Sequence, residues 1–163
     1  MDADLGAGLR LRALTPADVD LVVEATATEV APALWGPTPR GPYSARDATR
    51  ALREWDPAGT RISYGLIRDG LLLGALGLMY DGPGSAELAY WVRPENRRQG
   101  LALRGIETIT AWAHREGGLP RVWLEINPDN VPSRRLAERA GFLFEEQRAT
   151  DHYLVFGSAA RLA

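Results

Sequence analysis

The feature that most constrains the fold is a pair of apolar segments joined by Asp69-Gly70. Residues 61–68 and 71–80 each have the composition of a strand, and Asp-Gly between two such segments is typical of a tight β-hairpin. Residues 81–84, Asp-Gly-Pro-Gly, predict a second turn, and residues 85–92 then form a third strand. The centre of the chain is therefore predicted to be an antiparallel meander.

Further strands and helices are predicted on both sides of this meander. Thr15-Pro16 and Ser44 are helix-start signals, and Gly117-Gly118 and Gly141 are stop signals. The predicted elements are a strand over 9–14, helices over about 15–28 and 45–55, the meander, a helix over 101–115, a strand over 121–127, a helix over 131–140, and strands over 142–148 and 151–156.

The order β-α-α-β-β-β-α-β-α-β-β contains one β-α-β crossover after antiparallel strands. We therefore predict an α+β fold, with a mixed, mostly antiparallel central sheet of about seven strands and four helices on its faces. The length of 163 residues suits a single domain over residues 1–163. Within it, Met1–Gly8 is predicted to be a loose N-terminal arm.

Composition excludes several kinds of chemistry. Cys is absent, which excludes disulfides, thiolate zinc sites and a cysteine nucleophile. Lys is also absent, so all 19 positive charges are Arg. The net charge of −2 and the lack of a basic face predict no nucleic-acid partner. No apolar run has the length of a membrane span, so we expect no membrane partner. The first residues lack the pattern of a signal peptide, and we expect a cytoplasmic protein.

A segment suited to binding an anion lies between the third meander strand and the long helix. It reads Pro94-Glu95-Asn96-Arg97-Arg98-Gln99-Gly100-Leu101-Ala102. A helix start offers free backbone N–H groups, the small Gly100 and Ala102 let a phosphate approach them, and two Arg add positive charge. On these residues alone, a loop glycine beside a solvated Arg pair is an equally good interpretation.

Several motifs, taken in order, resemble one family. Arg97-x-x-Gly100-x-Ala102, after the strand Ala-Glu-Leu-Ala-Tyr-Trp-Val of residues 86–92, resembles motif A of the GNAT acetyltransferase superfamily. Residues 124–135, Leu-Glu-Ile-Asn-Pro-Asp-Asn-Val-Pro-Ser-Arg-Arg, followed by Ala140-Gly141-Phe142, resemble motif B. The combination is similar to the RimL-like branch of ribosomal-protein N-terminal acetyltransferases. The motifs span residues 85–144, and the element order fits the family fold over nearly the whole chain.

The resemblance implies that acetyl-CoA is the co-substrate, that its acetyl group passes directly to an amine, and that no metal takes part. The pyrophosphate would lie on residues 97–102, and a backbone N–H near Tyr90 or Val92 would hold the oxyanion. Asn130 would bind the pantetheine arm, unless it only caps its helix. The cofactor-binding residues implied are Trp91, Val92, Arg93, Arg97, Arg98, Gln99, Gly100, Leu101, Ala102, Asn130 and Ser133.

The resemblance also assigns catalytic roles. Many family members use a Tyr seven residues after the motif B Asn to protonate the leaving thiolate, and that position is Ala137 here. The RimL-like branch has a Ser three residues after the Asn, which is Ser133, although a first-turn Ser also satisfies backbone groups. The amine needs a base, for which Glu87 is the first choice and Glu125 the second. Either Glu is otherwise an ordinary strand residue.

The acceptor stays open in the sequence. The aromatic loop between the first two helices covers the acceptor site in this family, and the substrate-binding residues it suggests are Trp35 and Tyr43, with Tyr153 from the closing strands. Candidate acceptors are a peptide or protein N-terminus, an amino acid or polyamine, and an amine-bearing antibiotic. Dimers are common in this branch, so a homodimer is also implied. The alternatives are a non-catalytic acyl-CoA-binding module and a structural domain whose loop is incidental.

Overall fold

The computed structural model describes residues 1–28, 42–54 and 60–160. Its α-helices are α1 (Val19–Ala25), α2 (Ala45–Glu54), α3 (Leu101–Arg115) and α4 (Val131–Arg139), with short 3-10 helices at Pro16–Asp18 and Pro94–Asn96. Its strands are β1 (Asp2–Asp4), β2 (Arg10–Ala13), β3 (Arg61–Arg68), β4 (Leu71–Gly82), β5 (Ser85–Val92), β6 (Arg121–Ile126), β7 (Leu143–Gln147) and β8 (Leu154–Ala159).

The described strands form one sheet in the order β1-β2-β3-β4-β5-β6-β8-β7. The pair β5–β6 is parallel and is joined by α3, whereas the other neighbouring pairs are antiparallel. The predicted mixed sheet, the meander and the single β-α-β crossover are therefore confirmed.

The prediction of a loose arm over residues 1–8 is wrong, and this explains the eighth strand. Asp2, Ala3 and Asp4 pair with β2, and the Arg10 guanidinium donates two hydrogen bonds of 2.7 Å to the Asp2 carboxylate. The Arg104 guanidinium on α3 also donates to the Gly6 carbonyl at 2.9 Å. A strand of three residues is too short to show an alternating pattern, so the sequence did not reveal it.

The sheet separates two apolar clusters. The first cluster packs α3 and α4 against one face, through residues such as Ile106, Ala137 and Leu88. The second cluster packs α1 and α2 against the other face, through residues such as Val22 and Trp91. Because successive strand residues point to opposite faces, the even-numbered side chains of β5 face the first cluster and the odd-numbered ones face the second.

Asp18 stabilises the connection between β2 and α1. Its side chain is only 8% exposed, accepts hydrogen bonds of 2.6 and 2.9 Å from the Arg12 guanidinium, and forms a capping box with Thr15. We expect Asp18→Ala to lower the free energy of unfolding by about 2–3 kcal/mol, because it removes the cap and leaves Arg12 without its partner. Urea denaturation measures this loss.

The matched control is Asp47→Ala, since Asp47 forms a capping box with Ser44 at a more exposed position. We expect it to cost about 1 kcal/mol. The Arg12 hydrogen bonds hold the pKa of Asp18 below its usual value. The contribution of Asp18 is therefore present above its unfolded-state pKa and is lost as the pH falls through the folded-state pKa. An equal loss of stability in the two variants would contradict the assignment.

Candidate active site

Strands β5 and β6 pair only at their beginnings. Ser85, Ala86 and Glu87 pair with residues 121–123, and the register ends at Glu87–Trp123 although β5 continues to Val92. In the described part of the chain no ladder joins residues 88–92 to residues 124–126. The two strands therefore part, and a gap opens in the middle of the sheet.

The edge of β5 that borders this gap carries backbone groups outside any ladder. The Arg93 N–H donates to the Leu73 carbonyl of β4 at 3.0 Å. Successive strand residues turn their N–H and C=O groups to opposite edges, so the odd-numbered residues of β5 face β4. Tyr90 and Val92 accordingly direct their N–H groups toward the gap, where the sequence predicts an oxyanion donor.

Trp91 and Arg93, which the sequence predicts as cofactor contacts, have partners within the protein. The Trp91 carbonyl faces β4, since a methyl group built on Gly74 would lie 2.6 Å from its oxygen, and the Trp91 ring is buried in the second cluster. The Arg93 guanidinium donates to Glu24 at 2.7 and 2.8 Å and to Glu95 at 2.7 Å. The Arg93 carbonyl also accepts the Asn96 N–H at 2.9 Å. The proposed contacts with the cofactor therefore do not include these two residues.

The start of α3 is open to an anion. Its N-cap, Gly100, has a φ of 74°, and neither a side-chain cap nor an acidic residue occupies the first turn. The N–H groups of the first turn are therefore not used by a cap, and a methyl group on Gly100 would meet open space within 4 Å. Arg98, with a φ of 61°, and Gln99 are exposed beside it, whereas the Leu101 side chain anchors the helix in the core.

Arg97 ties this loop to the end of β5. Its Nε donates to the Val92 carbonyl at 2.9 Å, and the residue makes a further interaction as well. This bond fixes where the loop leaves the strand, and it places a guanidinium at the mouth of the gap. Of the backbone groups of Val92, the N–H is the one that stays available to a ligand in the gap.

The start of α4 brings Asn130 and Ser133 together. The Asn130 Oδ1 accepts the Ser133 N–H at 3.2 Å, so the helix-cap interpretation of Asn130 is confirmed. Its amide nitrogen makes no hydrogen bond within the described residues and stays available as a donor. Ala137 lies one turn after Ser133 on the same helix face, and it is buried in the first cluster.

Glu87 and Glu125 lie on the opposite face of the sheet, around the indole of Trp123. The Trp123 Nε1 donates to Asp81 at 2.7 Å, and the guanidinium of Arg148 stands over the ring, 5.0 Å from its centroid. Arg148 also forms an ion pair with Glu125. The guanidinium of Arg121 also lies over the ring, 5.5 Å from its centroid. This side of the gap therefore holds three carboxyl groups and two guanidinium groups around an aromatic ring.

The two candidate bases differ in their surroundings. Burial raises the pKa of Glu87, and the negative charge of Glu125 raises it further, while Arg148 opposes both effects. The Glu87 carboxyl forms no hydrogen bond or ion pair within the described residues, whereas the Glu125 carboxylate is held by Arg148. A half-buried carboxyl with a raised pKa and no partner is the better proton acceptor of the two.

The predicted acceptor residues are not brought together. Tyr43 is 4% exposed and packs in the second cluster, so it belongs to the core and does not form an open wall. Trp35 lies outside the described residues. Tyr153 is half-buried and directly precedes β8, which pairs with β6 beside the gap.

Sequence reasoning missed Asp81, Arg148 and the side chain of Tyr90. Strand alternation did place Glu87 and Trp91 on one face. The contacts of Asp81 and Arg148 come from segments distant along the chain, so no local pattern marks them. Within the described ranges no cluster of three His, Asp or Glu side chains has the arrangement of a metal site. None of the helices in the same ranges is long and apolar enough to cross a membrane.

The fold and the site define an α+β protein that can hold an extended, phosphate-bearing ligand between two strands. The chain belongs to the acetyltransferase (GNAT) domain family, because that family's model matches residues 8–143.

Similar proteins are consistent with this assignment. "Putative ribosomal N-acetyltransferase YdaF" of Bacillus subtilis (strain 168) is 34% identical over 98 residues, which are 59% of this chain and 53% of that protein, so the match spans about half the length of this curated relative. RimL, a ribosomal alpha-N-protein acetyltransferase solved with coenzyme A, shares the fold with a TM-score of 0.78 at 18% identity, covering 98% of both chains. A dodecameric spermidine N-acetyltransferase from Vibrio cholerae has a TM-score of 0.72 at 17% identity and 95% coverage of both.

Proposed function

We propose that this protein is an N-acetyltransferase that moves an acetyl group from acetyl-CoA directly to a primary amine. The observation that carries the proposal is the gap between β5 and β6, which leads to the uncapped start of α3. Pantetheine has the length and the amide groups to run along such an edge, and a pyrophosphate suits a helix start with free N–H groups. Family membership supports the same donor.

In this proposal each part of the cofactor has its own contacts. The backbone of residues 97–102 binds the pyrophosphate, together with the positive charge of Arg97 and Arg98. The Asn130 amide nitrogen donates to the pantetheine arm. The N–H groups of Tyr90 and Val92 face the thioester carbonyl and stabilise the oxyanion as it forms.

Deprotonation of the amine and departure of the thiolate take place on opposite faces of the sheet. On the face of α1 and α2, Glu87 takes one proton from the ammonium form of the acceptor, and the neutral nitrogen then attacks the thioester carbon. The second proton that the nitrogen loses passes to water as the amide forms. The electron pair of the carbonyl moves to the oxygen, and when it returns the carbon–sulfur bond breaks. The sulfur leaves toward the other face, where the Ser133 hydroxyl donates a hydrogen bond to the thiolate.

The acceptor belongs to the class of primary amines, on a protein or peptide N-terminus or on a small molecule. RimL acts on a protein N-terminus and the Vibrio cholerae relative on spermidine, so both kinds of acceptor occur on this fold. On the acceptor side, three carboxyl groups stand against two guanidinium groups around Trp123, and this small excess of negative charge suits an ammonium group. A homodimer and a cytoplasmic location, both expected from the sequence, stay predictions.

The competing function is a non-catalytic acyl-CoA-binding module. Ala137 favours it, because the residue at that position carries no proton donor. The Glu87 carboxyl disfavours the binding module. A half-buried carboxyl without a hydrogen-bond partner costs stability, and carboxyl groups of this kind are concentrated at sites of chemistry.

We expect saturating acetyl-CoA to raise Tm, since a ligand at 100 times its Kd stabilises a protein by about 2.7 kcal/mol. We also expect release of the CoA thiol, measured with a thiol-reactive dye, when N-terminal peptides, polyamines and aminoglycosides are offered as acceptors. A Tm shift without thiol release for any acceptor would support the binding module. The absence of a Tm shift would contradict both functions.

A further inference from the structure

The hydroxyl of Tyr90 is a buried polar group without a structural role. The Tyr90 side chain extends from β5 toward α3 and α4 and packs against the first cluster. Its hydroxyl oxygen is inaccessible to solvent and makes no hydrogen bond of normal geometry within the described residues. Buried hydroxyls are usually paired, so an unpaired one beside a ligand-binding gap calls for an explanation.

The polar group that bears on this hydroxyl is the hydroxyl of Ser133, at the start of α4. Tyr90 packs against the first cluster, which also holds Ala137, one turn after Ser133 on the same face of α4. Burial raises the pKa of Tyr90, and the hydroxyl of Ser133 lowers it. The Ser133 N–H is occupied by the Asn130 cap, whereas its hydroxyl forms no hydrogen bond of normal geometry in the part of the chain that the structure describes. The two hydroxyls thus belong to β5 and α4 at the first cluster, and neither has another hydrogen-bond partner within the described residues.

We propose that Tyr90 is a positioning residue whose O–H donates to the Ser133 oxygen and thereby directs the Ser133 proton to the sulfur of the cofactor. The inference rests on the proposed function, because it needs the thiolate in the gap. A serine hydroxyl has one proton and rotates freely. When Tyr90 occupies its oxygen as an acceptor, its proton is left for the sulfur.

Tyr90 acts as a donor and stays protonated. Burial raises its pKa above the ordinary value of 10.0. A thiol has a pKa of about 8.5, so transfer of the tyrosine proton to the thiolate is uphill. The carbon–sulfur bond breaks, the electron pair stays on sulfur, the Ser133 proton stabilises it by a hydrogen bond, and the thiolate takes its own proton afterwards from water.

A double-mutant cycle with Tyr90→Phe and Ser133→Ala tests this chain of two hydroxyls. Tyr90→Phe keeps the ring, and we expect kcat to fall about tenfold while the KM for acetyl-CoA changes less than about twofold, since one transition-state hydrogen bond is weakened. We expect Ser133→Ala to lower kcat further, and the double variant to match Ser133→Ala, because Tyr90 acts only through Ser133. The control is Tyr64→Phe, a buried tyrosine of β3 on the same face of the sheet, for which we expect unchanged kcat.

A second measurement does not depend on turnover. The difference in tyrosinate absorbance between the native protein and Tyr90→Phe isolates the titration of Tyr90. Because Ser133 lowers the pKa of Tyr90, that titration moves to higher pH in Ser133→Ala. An unmoved titration would overturn the contact.

The remaining outcomes separate this inference from the proposed function. Multiplying effects in the double variant, or native kcat in Tyr90→Phe, would overturn the positioning role while the native protein still binds and uses acetyl-CoA. If the native protein shows no Tm shift with acetyl-CoA, the proposed function fails, and the inference fails with it.

Discussion

Glu87→Gln lowers kcat/KM for the amine by about 100-fold or more at neutral pH, because general-base catalysis contributes about 10²–10⁴-fold. Gln keeps the shape of the side chain and removes its ability to take a proton. The Tm shift with acetyl-CoA is retained, since Glu87 lies on the opposite face from Asn130 and Ser133. The control is Glu116→Gln at the distant end of α3, where the carboxyl is exposed and activity is unchanged.

The pH dependence of the reaction tests the same assignment, because two variants should move the acid limb of kcat/KM in opposite directions. Glu87 must be ionised to act as a base, and its raised pKa places the acid limb of kcat/KM above the ordinary value of 4.5 for a Glu. Glu125→Gln removes a negative neighbour, so the limb moves to lower pH. Arg148→Gln removes a positive neighbour and also leaves Glu125 unpaired, so the limb moves to higher pH. Movement of both variants in one direction would rule out Glu87 as the titrating group.

Gly100→Val weakens acetyl-CoA binding by about 100-fold, measured by isothermal titration calorimetry, because it covers the first-turn N–H groups and the loss of two charged hydrogen bonds costs about 3 kcal/mol. The backbone also contributes, since the φ of 74° is unfavourable for any residue with a Cβ and worst for a β-branched one.

The matched control separates strain from binding. Gly70 in the β3–β4 hairpin has a φ of 76°, and a methyl group built on it also meets open space within 4 Å. Gly70→Val therefore introduces a similar strain of about 1–2 kcal/mol far from the gap. We expect both variants to lose a similar amount of Tm and only Gly100→Val to lose affinity. Equal affinities would show that the start of α3 does not bind the pyrophosphate.

Local patterns were enough for the elements that organise the site. Asp69-Gly70 predicted the hairpin, and small residues after an Arg pair predicted an open helix start, because turn chemistry and helix ends depend on neighbours in sequence. The assignment of odd and even residues of β5 to opposite faces was likewise available. The edge of β5 to which each backbone group turns could not be predicted from the sequence, because it depends on the register with β4. The sequence therefore did not indicate that the Trp91 carbonyl faces β4.

Most features of the site that the sequence did not predict depend on contacts between segments that are distant along the chain. The ion pair of Arg148 with Glu125, and with it the choice between two bases, follows from the order in which β6, β7 and β8 assemble. Tyr43 was expected in a cleft because it follows an aromatic loop, yet it packs with Trp91 in the second cluster. The Tyr90–Ser133 pair joins a strand to a helix that begins about forty residues later, and its polar partner is invisible without the fold.

The short register between β5 and β6 also determines how firmly the two parts of the sheet are joined. It divides the sheet into five strands on one side and three on the other, joined by three residue pairs and by the crossover helix. A ligand whose amides pair with the open edge of β5 supplies the hydrogen bonds that a continuous strand would have made. We therefore expect a bound cofactor to complete the sheet, and its release to leave the two groups of strands joined only by the three residue pairs and α3.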